Sequence, residues 1–163
     1  MYQSYPTGAQ MPEIQRPSVP SSVANAVKVM YVGAATSIVG IIIEILTVNA
    51  TKTAIESRSR KLTVSQVNAS EHALIAGFII GGLIATAAWI LVARNCQGGK
   101  NWARITGTVL FAIATIDTIV GLTAPLAAAV RIWGAVVWLV GLTAVVLLWQ
   151  RPSTAFFTAP RPS

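Results

Sequence analysis

Two long apolar runs joined by a short basic turn constrain this chain more than any other feature of its sequence. Residues 73–93 contain no charged side chain, residues 105–124 contain only Asp117, and each run approaches the ~20 residues that a helix needs to cross a bilayer. The turn between them contains a Gly-Gly pair, which breaks a helix, and a tryptophan, which favours lipid headgroups. Its cations are Arg94, Lys100 and Arg104. The pattern predicts two membrane-spanning helices whose connection lies at a membrane face.

The composition indicates the same class of protein. Hydrophobic residues make up 54% of the chain and charged residues 10%, whereas soluble domains carry roughly 25% charged residues. A net charge of +7 would suggest nucleic acid as the partner of a soluble protein, but these cations flank apolar runs and predict contact with the lipid bilayer instead. The single cysteine and single histidine exclude an intrachain disulfide and a Cys/His metal site, so no metal and no cofactor are expected.

Two further apolar runs complete the predicted fold, an all-α membrane protein with four transmembrane helices in an antiparallel up-down-up-down bundle. The four predicted spans are residues 29–48, 73–93, 105–124 and 126–149, within a transmembrane domain at 23–150. The segments outside the spans are a disordered Pro-rich N-terminal tail at 1–22, an outer helical hairpin at 49–72 and a Pro-rich C-terminal tail at 151–163. In the last of these, Phe156 and Phe157 are expected to lie on the membrane interface.

The outer hairpin is predicted to be largely helical. Thr63 and Gln66 have the spacing of a capping box, in which each side chain bonds the other residue's backbone N–H, so the second membrane helix should begin near Val64. Residues 51–57 contain no helix breaker and can prolong the first membrane helix outward, which leaves a turn at 58–62.

The distribution of cations predicts the orientation in the membrane. Four spans place both termini and the basic turn on one face, which carries more cations than the other face. The first face holds Arg16, Lys28, Arg94, Lys100, Arg104, Arg151 and Arg161, and the second holds Lys52, Arg58, Arg60, Lys61 and Arg131. The positive-inside rule therefore predicts that both termini lie in the cytoplasm.

Several short motifs follow one another along nearly the whole chain. After the Pro-rich start they are Val-Lys-Val-Met-Tyr-Val-Gly-Ala at 27–34, Leu-Thr-x-Ser-Gln-Val at 62–67, Gly-Lys-Asn-Trp-Ala-Arg-Ile at 99–105 and Leu-Leu-Trp at 147–149. This order of features resembles a group of small, functionally unassigned four-span membrane proteins of actinobacteria. The resemblance implies four spans, cytoplasmic tails and a Gram-positive plasma membrane, and it implies no activity.

Small residues recur along the spans at regular intervals. Three spans show a seven-residue repeat, which indicates closely approached helices of left-handed crossing. The second span shows a four-residue repeat, which permits a closer right-handed contact or a dimer face. The glycines predicted to mark helix contacts are Gly33, Gly40, Gly77, Gly81, Gly107, Gly121, Gly134 and Gly141.

The charged residues Glu44, Asp117 and Arg131 lie within spans and form a predicted intramembrane cluster. Each costs about 2.5–3.5 kcal/mol at the bilayer centre, so an unpaired one needs a reason. Asp117 and Arg131 stand at similar distances from the Pro125 turn on adjacent antiparallel helices, which predicts an ion pair that fixes helix register. Glu44 then joins the pair, stays protonated near the interface, or takes up a proton or cation as part of a transport function.

Two classes of function remain open from the sequence. The first is a structural or protein-interaction component of the membrane, whose partner is another membrane protein or a second copy of the chain. The alternative is a small proton- or cation-coupled transporter that uses Glu44 and Asp117; small multidrug transporters also place a glutamate in the first of four helices, an analogy of fold alone. No catalytic residue is assigned, because the sequence has no Ser/His/acid set, no repeated histidines and no phosphate-binding loop, and we expect no enzyme.

Overall fold

The computed structural model describes residues 18–58 and 64–159, and these residues form six α-helices. Four of the helices are long and apolar enough to cross a membrane, so the predicted all-α, four-span fold is confirmed. The predicted Thr63 cap and most of the predicted hairpin turn lie outside the described residues, as do residues 1–17. The helices are α1 Ser21–Leu46, α2 Val48–Arg58, α3 Val64–Gln97, α4 Asn101–Thr123, α5 Ala128–Leu148 and α6 Arg151–Thr158.

Helical structure continues past the end of α1 with a single interruption. At Thr47 the side-chain hydroxyl donates to the carbonyl of Ile43 at 2.7 Å, and α2 begins at the next residue. The side chain of Thr51 in α2 is fully buried and accepts a hydrogen bond from the backbone N–H of Ala127, at 3.2 Å. Because Ala127 is the N-cap of α5, this bond ties the start of α5 to α2.

The first helix packs more extensively against its neighbours than any other span does. It packs chiefly against α3 and α5, while α4 packs against α5 and α3, so the four spans are arranged as a ring in the order α1, α3, α4, α5. The helices α1 and α3 are antiparallel, since Gly33 packs against Trp89 while the later residue Ile41 packs against the earlier residue Gly82. Short connections make α3 and α4, and α4 and α5, antiparallel as well. The turn between α3 and α4 uses Gly99 at φ 68°, a left-handed conformation that glycine adopts without strain.

The hydrophobic core lies at the end of the bundle that carries this turn, which we call the basic-turn end. The helices α1, α3, α4, α5 and α6 all contribute to it. Its buried members are Val23, Ala26, Val27, Met30, Val92, Ala93, Cys96, Ala103, Ala144, Leu148 and Phe157. We call the opposite end, which carries α2 and the connection between α4 and α5, the hairpin end.

The C-terminal segment is a helix packed against the basic-turn end. Pro152 occupies the first turn of α6, where its missing N–H leaves no hydrogen bond unmade. Ser153 is fully buried, and its hydroxyl lies 2.7 Å from the hydroxyl of Ser22 in α1 and 2.7 Å from the carbonyl of Leu147. Phe157 is buried in the core, so its predicted place on the membrane interface is wrong. The prolines suggested a tail, but Pro152 stands where a short helix tolerates it.

Candidate functional site in the open half of the bundle

Four of the predicted packing glycines lie where two helices touch. A Cβ atom added to Gly33 would lie 2.7 Å from the Trp89 ring, and one added to Gly141 would lie 2.9 Å from Phe111. The corresponding distances are 3.2 Å from Gly40 to Trp133 and 3.0 Å from Gly107 to Val92. These approaches are closer than ordinary contacts of a Cβ atom, so an absent side chain lets each neighbouring ring or branched side chain approach the helix backbone.

The other four glycines face open space within this chain. A Cβ atom at Gly77, Gly81, Gly121 or Gly134 would meet no atom within 4 Å among the described residues. The prediction that these positions mark contacts inside the bundle is therefore wrong, while the alternative of a dimer face for Gly77 and Gly81 stays a prediction. On α3 the close approach is made instead by Gly82, against Ile41 of α1.

The open glycines show where the helices separate. Gly107 of α4 touches Val92 of α3 near the basic-turn end. On α3, Gly81 precedes Val92 by about three helical turns, so these two residues lie on nearly one face. On α4, Gly121 follows Gly107 by about four turns and likewise shares its face. Although these faces touch at one end, neither Gly81 nor Gly121 has a neighbour at the other. Thus α3 and α4 diverge toward the hairpin end.

The named contacts between α4 and α5 lie in the part of α4 from Thr108 to Thr115. Trp138 of α5 packs on Phe111 with ring centroids 5.7 Å apart, and its Nε1 donates to the Thr115 hydroxyl at 3.0 Å. Arg131 lies seven residues before Trp138, on the same face of α5, yet its side chain is exposed. In α4 the buried residues are Ala103 and Arg104, both in the first turn. We call the space bounded by Gly81, Gly121 and Gly134 the hairpin-end opening.

The three charged residues of the predicted cluster stand around this opening without forming the predicted pair. Asp117 and Arg131 are both exposed, and no ion pair joins them among the residues that the structure describes. Asp117 lies roughly 9 Å along the axis from the end of α4, and Arg131 roughly 5 Å from the start of α5. Their depths are similar, but both side chains are exposed and do not meet. The predicted intrachain ion pair is therefore wrong.

Glu44 faces the interior of the bundle and is half-buried. Gly40, four residues earlier, touches α5, and Ile41, three residues earlier, touches α3. Residues three and four apart share a helix face, so Glu44 lies on the face of α1 between α3 and α5. Glu44 and Asp117 thus place two carboxylates at the opening, and neither forms an ion pair among the residues that the structure describes.

Tryptophans join the spans where they do meet. Trp133 Nε1 donates to the Thr36 carbonyl of α1 at 3.0 Å, and Trp149 Nε1 donates to the Thr108 hydroxyl of α4 at 3.0 Å. Together with the Trp138 bond, these make three indole hydrogen bonds, one from α5 to α1 and two from α5 and its C-cap residue to α4. We did not predict these bonds from the sequence, although an indole N–H in an apolar span needs an acceptor, and threonines recur through α4.

The cations of the basic turn are not equivalent. Arg94 and Lys100 are exposed, as expected for a turn among lipid headgroups. Arg104 is 5% exposed, and its guanidinium carbon lies 3.8 Å from the centre of the Trp149 ring. The neighbouring Cys96 is fully buried in the core. We predicted a basic interface from the sequence but did not predict that one of its cations is enclosed.

No known protein family, curated protein or solved structure matches this chain. Within the described residues, no group of three or more His, Cys, Asp or Glu side chains could hold a metal ion. The function is therefore argued from the geometry of the opening and of the basic-turn end.

Proposed function

We propose that this protein is a self-associating structural or interaction component of a plasma membrane, and that the hairpin-end opening is where a second copy binds. The observation that carries the proposal is the exposure of Asp117 and Arg131, opposite charges within two spans of one chain and at similar depth. In a symmetric pair of chains, Asp117 of each copy meets Arg131 of the other. The basic-turn end, which is already closed by a core, faces the cytoplasm in this proposal.

The energetics of a bilayer support an occupant for the opening. An exposed charge costs about 2.5–3.5 kcal/mol at the bilayer centre and less toward its edge, so pairing across an interface favours association. Apolar side chains give no such drive in lipid, where close approach of backbones at small residues takes its place. The open glycines on α3, α4 and α5 provide that approach on the side that carries the charges.

The proposal is tested by energy transfer between donor-labelled and acceptor-labelled copies of the full chain in lipid vesicles, diluted stepwise with lipid. Asp117→Arg should weaken association by about tenfold or more, because two ion pairs are lost and like charges replace them. Glu56→Arg makes the same charge change at an exposed position of α2 and serves as the matched control. Equal transfer in the wild type and in Asp117→Arg, or no transfer in the wild type, would refute self-association at this site.

A second candidate function rests on a separate observation. Glu44 and Asp117 stand at the opening and neither forms an ion pair within the described part of the chain, an arrangement suited to the uptake of a proton or cation. If the protein is a transporter, it should carry protons into liposomes under a membrane potential, and Glu44→Gln should abolish the flux. Glu56→Gln, outside the spans, should leave the flux unchanged. Absence of any flux from the wild-type protein argues for the interaction role alone.

A further inference from the structure

Arg104 is an enclosed cation without a counter-ion. Its side chain is 5% exposed, its Nε atom is buried without a hydrogen-bond partner, and no ion pair or hydrogen bond of the guanidinium occurs among the described residues. Its contacts are the faces of two aromatic rings, Trp149 at 3.8 Å and Phe157 at 5.8 Å. A ring face attracts a cation but accepts none of the five N–H groups in the plane of the guanidinium as a carboxylate or phosphate would.

The described bundle has no carboxylate near this end. The acidic residues of the spans, Glu44 and Asp117, stand at the opposite end, and Glu56 and Glu71 belong to the hairpin. The remaining acidic residue of the chain, Glu13, lies outside the described residues. Burial of a charge without a partner is unfavourable, so the site is incomplete unless an anion from outside the bundle pairs with Arg104.

The surroundings of Arg104 favour an anion. Arg104 stands in the first turn of α4, and side chains on a helix lean toward its N-terminus, where the positive end of the helix dipole lies. In this turn the N–H of Ala103 donates to the Lys100 carbonyl at 3.1 Å, while those of Asn101 and Trp102 have no partner within the helix. The side chain of the N-cap residue, Lys100, makes no hydrogen bond to that turn. The two Nη atoms make no hydrogen bond within the described residues, and unlike Nε they are not fully buried, so they keep their access to a ligand.

We propose that the basic-turn end binds a phosphate group, which the Nη atoms of Arg104 and the first turn of α4 hold together. The planar guanidinium donates two parallel hydrogen bonds to phosphate oxygens, a geometry that lysine cannot reproduce. The exposed cations Arg94 and Lys100 add attraction at the rim. The headgroup of an anionic phospholipid and free phosphate share this chemistry, and the turn lies at the depth where lipid phosphates are found.

The test uses the purified full chain in nanodiscs of phosphatidylcholine, to which phosphatidylglycerol or inorganic phosphate is added in separate arms. The melting temperature and the lipids retained in native mass spectrometry are measured. We expect the melting temperature of the wild type to rise with phosphatidylglycerol if the source is lipid, and with inorganic phosphate if the source is soluble. A rise in neither arm, with no retained anionic lipid, overturns the proposal.

Variants separate a built site from general attraction to a basic surface. Arg104→Gln should lose the rise, and Arg104→Lys, which keeps the charge and guards against a folding defect, should bind the anion about tenfold more weakly. Arg94→Gln removes an exposed cation of the same turn and is the matched control, which should keep most of the response. Equal losses in Arg94→Gln and Arg104→Lys would overturn the proposal.

The variant Glu13→Gln tests whether the Glu13 carboxylate is the missing counter-ion. If this variant melts at a lower temperature than the wild type without added anion, and the melting temperature of the wild type does not rise with anion, the role belongs to Glu13.

Discussion

At the scale of single residues, the absence of a Cβ atom at Gly33 allows α1 and α3 to pack closely. Because an added methyl group would lie 2.7 Å from the Trp89 ring, the indole would have to shift inside the closed half of the bundle. We predict that Gly33→Ala lowers the free energy of unfolding by about 1–3 kcal/mol, the usual range for overpacking. Gly77→Ala is the matched control, since its methyl group would meet open space, and it should be neutral or mildly stabilising.

The measurement for this pair is unfolding of the monomer by denaturing detergent, followed by circular dichroism. Equal stability losses in Gly33→Ala and Gly77→Ala would show that the two helices do not pack as described. The sequence alone could not separate these glycines, because both lie in apolar spans with small residues at regular intervals. What separates them is the divergence of the helices, a property of the whole bundle that no local repeat encodes.

At the scale of the elements, α6 closes the basic-turn end through one buried ring and one buried hydroxyl. Phe157→Ala removes the ring from the core, so α6 should detach while the four spans stay folded. We predict that backbone amides at 154–158 lose most of their protection from hydrogen exchange in this variant. Thr158→Ala, at an exposed position of the same helix, is the control and should change little. Loss of protection throughout the spans, or no loss in α6, would contradict the docked arrangement.

The sequence predicts some elements better than others for physical reasons. The spans follow from run length, since about 20 apolar residues have few alternatives to a membrane helix. The docked helix α6 does not follow from its sequence, because Pro152 and its neighbours are equally compatible with an extended tail. The enclosure of Arg104 does not follow from the sequence either, because it depends on Trp149, which is far away along the chain. Similar depth led us to predict an Asp117–Arg131 pair, but depth along two helices says nothing about the distance between them.

At the scale of the whole molecule, the proposed orientation has a direct test. Ser57 in α2 and Thr158 in α6 are exposed, at opposite ends of the bundle, so cysteines placed there should react with an impermeant thiol reagent from opposite sides of the membrane. Ser57→Cys should react from outside intact cells and Thr158→Cys only after the membrane is opened. The native Cys96 thiol is fully buried and should contribute little background. Labelling of Thr158→Cys in intact cells would reverse the proposed orientation.

The central claim, that two copies pair Asp117 with Arg131 across the hairpin-end opening, is tested most directly by mixing two variants. Asp117→Arg leaves two cations at each of the two contacts and Arg131→Asp leaves two carboxylates at each, so each variant alone should associate weakly. A mixture restores opposite charges at both contacts, and energy transfer between the two labelled variants in lipid vesicles should return close to the wild-type value. If the mixture stays as weak as either variant alone, while a single chain carrying both changes recovers, the charges pair within one chain and the account is wrong.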